Sequence, residues 1–230
     1  GYEATGGYTL GDMRREIRVD SLRARFDSAG TLDYRLQRPT RIGWGDGGVD
    51  VEDLEVRRTG PDPVVIRADG RIPERGAADF TVAVEGLYLE RLTQVLQRTD
   101  LDLGGRVDFE GRLAGRAAAP VIDAEFSADS LRWRRLEFGG VRGSMDYSGR
   151  VAEIDLRASR GRGVVLDIDG AIPVALALTP GTERFLDREM DIDIRATDLP
   201  ARATVAPLED LENVEGTVSG RLRVAGTLEA

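Results

Sequence analysis

The 230-residue chain contains no cysteine, no histidine and no lysine, so all 32 of its cationic side chains are arginine. Those absences remove most side-chain chemistry. Without imidazole or thiolate there is no zinc site of the usual ligand types and no thiol nucleophile. A Ser-His-Asp triad lacks its base, a P-loop lacks its lysine, and a Schiff-base mechanism lacks its amine. No disulfide can form. No run approaches the ~18 apolar residues that a membrane helix needs. The chemistry left open is carboxylate acid–base work, magnesium or calcium on carboxylates, or none. The formal charge of -9, with arginine and acid interspersed, argues against a nucleic-acid partner, which would require clustered positive charge.

What the chain has in quantity is glycine, 28 residues, and period-two alternation. Arg106-Val107-Asp108-Phe109-Glu110 sets charge against bulk, and Leu113 resumes the phase after Gly111. Asp123 to Asp129, Leu131-Arg132-Trp133, Glu153 to Arg157, Met190 to Ile194 and Arg221 to Val224 follow the same rule. Arg134-Arg135 breaks the phase and Leu136-Glu137-Phe138 restores it. Successive strand side chains point to opposite faces, so each segment presents one apolar and one charged face. The fold class is therefore all-β, with strands of roughly five to eight residues joined by Gly, Pro and Asp turns. One helix is expected near 87–98, where Leu89, Leu92 and Leu96 share helical spacing, and a weaker one at Leu208 to Leu211. The chain opens at Gly1 without an initiator methionine or signal peptide and stops inside an alternating pattern, so it reads as a piece of a longer protein.

Two stretches recur at an offset of 100 residues. Asp69-Gly70-Arg71-Ile72-Pro73 matches Asp169-Gly170-Ala171-Ile172-Pro173, and Asp53 to Arg57 matches Glu153 to Arg157. Further echoes drift by several residues, as insertions in turns would produce. The pattern divides the chain into a first β repeat over 1–100 and a second over 101–230, cut short at its C-terminal end. Such copies continue one sheet end to end. In the repeated element Asp-Gly reads as a turn with positive φ and proline as the strand's end.

The glycine-flanked segments resemble a known family. Leu103 to Gly115, followed by Pro120-Val121-Ile122-Asp123-Ala124-Glu125-Phe126, is similar to the C-terminal conserved region of TamB-like proteins (the inner-membrane component of the translocation and assembly module). They belong to the AsmA-like superfamily of bridge-like lipid transport proteins. Leu131 to Gly143 and Val214 to Leu228 carry the same signature, and the resemblance covers roughly residues 40 to 230. It implies an elongated, twisted antiparallel sheet bent into an open groove. It also implies a periplasmic protein anchored in the inner membrane through a segment outside this chain. The implied partner is phospholipid, shielded on its way to the outer membrane. The TamB branch is also linked to outer-membrane protein assembly with an Omp85-type partner, reached through regions outside this chain.

Alternation by itself does not separate an open groove from a closed sandwich, whose two sheets also face each other with alternate residues. In the groove, Val107, Phe109, Leu113, Phe126, Leu131, Trp133, Phe138, Leu156, Ile168, Ile192, Ile194 and Leu222 line the apolar face. In the sandwich the same residues are core, and the chain is a structural or adhesive β-repeat domain without a ligand. Neither reading needs a cofactor, a metal or a catalytic residue. The paired acids Asp167/Asp169 and Asp191/Asp193 sit two apart on the outward side of strands, a solvated position unlike the flanked cleft of a glycosidase. Gly43-Trp44-Gly45-Asp46-Gly47-Gly48 has dinucleotide-loop spacing but opens onto an alternating strand, so it reads as a tight turn.

Overall fold

The computed structural model describes residues 2–10, 14–26, 32–58, 60, 62–90, 103–133, 136–178, 188–201 and 215–227. Fifteen strands account for most of them. In order they are β1 (Tyr2–Leu10), β2 (Arg14–Phe26), β3 (Leu32–Leu36), β4 (Thr40–Gly45), β5 (Gly48–Arg58), β6 (Val64–Ile72), β7 (Ala77–Tyr88) and β8 (Leu103–Arg116). There follow β9 (Ala119–Trp133), β10 (Leu136–Glu137), β11 (Gly140–Ser148), β12 (Val151–Arg160), β13 (Gly163–Pro173), β14 (Glu189–Pro200) and β15 (Thr217–Thr227). All belong to one sheet, ordered β1-β2-β3-β5-β6-β7-β8-β9-β11-β12-β13-β14-β15, with β4 paired to β2 and β5 and β10 folded back on β9. The path does not return from β15 to β1, so the sheet is not a closed barrel. The all-β, antiparallel expectation is met, mostly by sequential hairpins, the connection that antiparallel neighbours allow.

The residues group into two compact units. The first holds 1–87, 108–124 and 176–182; the second holds 88–107, 125–175 and 183–230. In the first, cross-strand pairing aligns Tyr8, Ile17, Ile42, Val51, Gly70 and Phe80 in a single row. A second row joins Leu36, Val56, Ile66 and Val84. In the second unit, Ala128, Val141, Ala158, Val165 and Leu199 form the buried cluster, with Val107, Leu131, Phe138, Leu156, Leu166 and Ala196 packed against it. Directly opposed pairs of this kind each contribute about 0.2–1 kcal/mol, so the rows, more than any single residue, hold the strands in register.

Several strands are longer than the alternation suggests. β8 and β9 have 14 and 15 residues. Gly111, which looks like a break, lies in mid-strand, and a Cβ there would meet the Phe109 ring about 3.0 Å away. The Asp-Gly element also differs from the turn expected of it. Gly70 lies inside β6 between Val51 and Phe80, and Gly170 inside β13 between Ile154 and Ile192. A Cβ at either position would collide with a backbone carbonyl of the next strand, Asp79 or Asp191. The glycines permit close approach between strands, while the prolines do end them, at Ile72 and Pro173. The helix near 87–98 begins later than expected. β7 runs through Leu87 and Tyr88, and Gly86, at φ 71, donates its N–H to Asp108 Oδ1 at 2.6 Å. Leu89 and Glu90 are helical; 91–98 and 208–211 lie outside the described residues. Gly43 to Gly48 is the tight turn expected, with Gly45 paired to Gly48 across Asp46-Gly47.

Candidate functional site

The site this sequence offers is a face, built by register. In the second unit Gly143, Leu156, Ile168, Ile194 and Leu222 stand directly opposite one another across β11 to β15. One step along, Met145, Ile154, Gly170, Ile192 and Val224 form a parallel row. Residues opposed in an antiparallel ladder share a face, so ten consecutive ladder positions expose only apolar side chains or glycine. Phe126 extends the first row: its ring occupies the space a side chain at Gly143 would fill.

The expected lining residues divide as follows. Leu156, Ile168, Ile194 and Leu222 share one row, and Ile192 lies in the next. Val107, Leu131 and Phe138 pack with Leu156 on the buried cluster. Phe109 and Leu113 belong to the first unit, where the Phe109 ring lies over Gly111 and Val82 also approaches that glycine. Trp133 pairs with Leu136 through the backbone, and its side chain lies outside the described residues. Sequence reading missed Met145, Leu166 and Ala196. Met145 was legible in principle from its offset to Tyr147 and Val141; small Ala196 carries little hydrophobic signal.

The face is buried at both ends and opens toward β15: Val141, Ala158, Tyr147 and Ala152 on the flanking rows are buried, Leu156, Ile168 and Ile194 are partly buried, and Leu222 is exposed. A sheet sealed under a second layer buries its Leu, Ile and Phe side chains almost completely. Here Tyr147 and Leu199 are buried, while Phe126 and Leu222 are 37 and 57% exposed. The interior rows are partly buried, Leu156 against the buried cluster.

The reverse face is ionic. Arg142, Arg157, Asp167, Arg195 and Arg221 form one row, and Ser144, Asp155, Asp169, Asp193 and Arg223 the next. Pairing runs both along diagonals and straight across the ladder. Arg221 binds both Asp193 oxygens, Arg223 binds both Asp191 oxygens at 2.7 and 2.6 Å, and Arg195 reaches Asp167 at 3.3 Å and Asp169 at 3.2 Å. Arg221 holds Asp193, and Arg223 holds Asp191, below the usual carboxylate range through these hydrogen bonds. In the first unit Arg35 and Arg23 hold Asp33 far below it, and Arg57, then Arg38, lower Glu55 against the opposing effect of its burial. A concavity of about 520 Å³ among Glu153, Asp169, Asp191, Asp193 and Arg223 lies on this side. Carboxylates kept ionised by guanidinium are poor proton donors near neutral pH. No group of three or more acidic residues placed to hold a metal occurs among the described residues.

Because these carboxylates titrate below their unfolded values, the folded chain binds fewer protons in the acid range. Their stabilisation is complete above the ordinary carboxylate value of about 4 and is lost as pH falls through the depressed values. Thermal midpoints should therefore be flat from neutral pH to about pH 5 and fall below about pH 4. The R221Q/R223Q double variant should fall more gently; an equally steep acid limb would exclude the Asp191 and Asp193 pairs as its source.

Arg58 departs from the two-face rule. It stands in the apolar series between Tyr34 and Val64 with only 3% of its side chain exposed. Nη2 donates to the Asp62 carbonyl, and Nη1 has no hydrogen-bond partner. Its aliphatic stem supplies the bulk that the row requires. No protein-family model, no curated protein and no solved structure matches this chain.

Proposed function

We propose that this chain is a non-catalytic segment of a periplasmic β-sheet protein that shields lipid acyl chains on its apolar face. Phospholipid is the ligand, moving toward the outer membrane, and an inner-membrane anchor and any Omp85-type partner belong to other parts of the protein. The observation that carries the reading is the apolar row Leu156, Ile168, Ile194, Leu222, partly buried at Leu156 and open to water at Leu222, with the exposed Phe126 ring at its head. A monomer rarely leaves such a series open to water unless something apolar visits it. Each acyl methylene laid on the row is worth about 0.8 kcal/mol, while headgroups remain in water and need no dedicated donor. The reverse face keeps the segment soluble by pairing arginine with carboxylate. The resemblance to TamB-like proteins supports the compartment and the lipid class.

Photo-crosslinking tests it. A photoreactive phenylalanine analogue at Phe109 or Phe126 should capture phospholipid in cells, and one at Arg157 on the ionic side should not. Capture of no lipid at either aromatic position, or equal capture from both faces, would overturn the proposal in favour of a structural repeat.

A further inference from the structure

Among the described ladder positions of β1 to β7, the apolar side of the first unit carries two charged residues, Arg15 and Arg58. They lie toward opposite ends of β5: Arg58 is its last residue, and Arg15 is in line with Val49 near its start. Arg58 is buried and gives Nη2 to the Asp62 carbonyl. Arg15 is exposed. Register sets it opposite Trp44, Trp44 opposite Val49, and Val49 opposite Ile72, so all four share one face. Ile17, Ile42 and Val51 form the next row inward. The strands that carry Arg15, Trp44, Val49 and Ile72 are each paired on both sides, so the exposure here is not that of a sheet edge.

On the ionic side of β2, Arg14, Arg18 and Arg23 each meet a carboxylate, Asp50, Asp20 and Asp33 respectively. Arg15 makes no ion pair or hydrogen bond with any described residue. What surrounds it is apolar surface left partly in water. Ile17 and Val49 are 36 and 42% exposed, and the Trp44 ring lies 6.5 Å from that of Tyr8. An unengaged guanidinium beside such surface suits a ligand with an oxyanion at one end and hydrocarbon at the other. Guanidinium pairs with phosphate through two parallel hydrogen bonds, and Trp and Tyr settle where an apolar phase meets water.

We propose that Arg15 binds the phosphate of a phospholipid whose chains lie inward over Ile17, Ile42 and Val51, with Trp44 at the boundary between them. The inference rests on the lipid reading above and adds a choice of lipid to it. Shielding hydrocarbon requires no such donor; selecting phosphate-bearing lipids over neutral ones does. The occupant is a phospholipid and not free phosphate, because one exposed guanidinium holds an anion weakly in water and attached hydrocarbon supplies the rest.

In calorimetric titration, monomeric dihexanoyl phosphatidylglycerol should bind the intact chain about fivefold more tightly than dihexanoylglycerol. R15Q should lose that preference and bind dihexanoylglycerol as the parent does, and R15K should restore most of it. Because Arg15 engages no described residue, R15Q should keep the parent's thermal midpoint. Inorganic phosphate at the lipid's concentration should not compete. In cells, a photoreactive phenylalanine analogue at Trp44 should capture phospholipid, and R15Q should lower that capture while capture at Phe126 persists. The same preference in R15Q, no preference in the parent, or displacement by inorganic phosphate would overturn the proposal. Capture at Phe126 with none at position 44 would overturn it alone, whereas capture at neither position would overturn the lipid reading with it.

Discussion

The Ile168→Asp variant should lose most of its lipid capture at Phe126 while remaining folded. Ile168 is the centre of the row, opposed by Leu156 on one side and Ile194 on the other. An acyl chain lying along the row cannot avoid it. A carboxylate there must either be desolvated by the chain or hold water against it, at a cost of a few kcal/mol, which is on the order of 10- to 100-fold in retention. The side chain is only half-buried in the absence of lipid, so the folded protein can leave the new carboxylate hydrated. The matched control is Asp169→Asn, one residue away on the ionic face, which should leave capture unchanged. Equal losses in both variants would trace the effect to stability and count against a lipid-bearing face; thermal midpoints of the two proteins decide which applies.

The contrast between those neighbours shows how much of the site is legible from sequence. Alternation assigns Ile168 and Asp169 to opposite faces, because strand geometry allows nothing else. It also assigns Leu156, Ile192, Ile194 and Leu222 to the apolar side, where register places them. Alternation does not reveal which residues stand opposite one another, since register depends on the partner strand. The single row from Gly143 to Leu222 and the diagonal pairs of Arg221 and Arg223 therefore had to come from the structure. Arg58 was invisible for another reason: an arginine in an alternating strand reads as outward, and only its pairing with Tyr34 and Val64 puts it on the apolar side. Phe109 and Phe126 are an intermediate case. Their polarity was plain from sequence, but each ring's place over a glycine, Gly111 or Gly143, depends on the absence of a Cβ in a neighbouring position.

Glycines mark the other large expected effect. Gly170→Ala should cost about 1–3 kcal/mol, the usual range for forcing extra volume into a packed contact. The atoms in the way are the Asp191 carbonyl oxygen and the Ile192 Cα, so the backbone of β14 itself would have to move. Gly70→Ala should cost at least as much, because the same collision with Asp79 is joined by a backbone at φ +115 that L residues seldom adopt. For a chain of this size each kcal/mol corresponds to roughly 2–4 °C in thermal midpoint. Gly143→Ala provides the contrast. Its Cβ would meet chiefly the Phe126 ring, which is partly exposed and can swing away, and the Asp155 carbonyl oxygen at 3.2 Å, which need give only a few tenths of an ångström, so the cost should be smaller than at Gly170 while crosslinking from position 126 shifts or weakens. Urea titrations of the three variants separate the cases. A Gly170→Ala protein as stable as the parent would mean that β13 and β14 tolerate a wider spacing. The rows that cross them, with Ile154 and Ile192 on either side of Gly170, would then lack a fixed surface on which to hold an acyl chain.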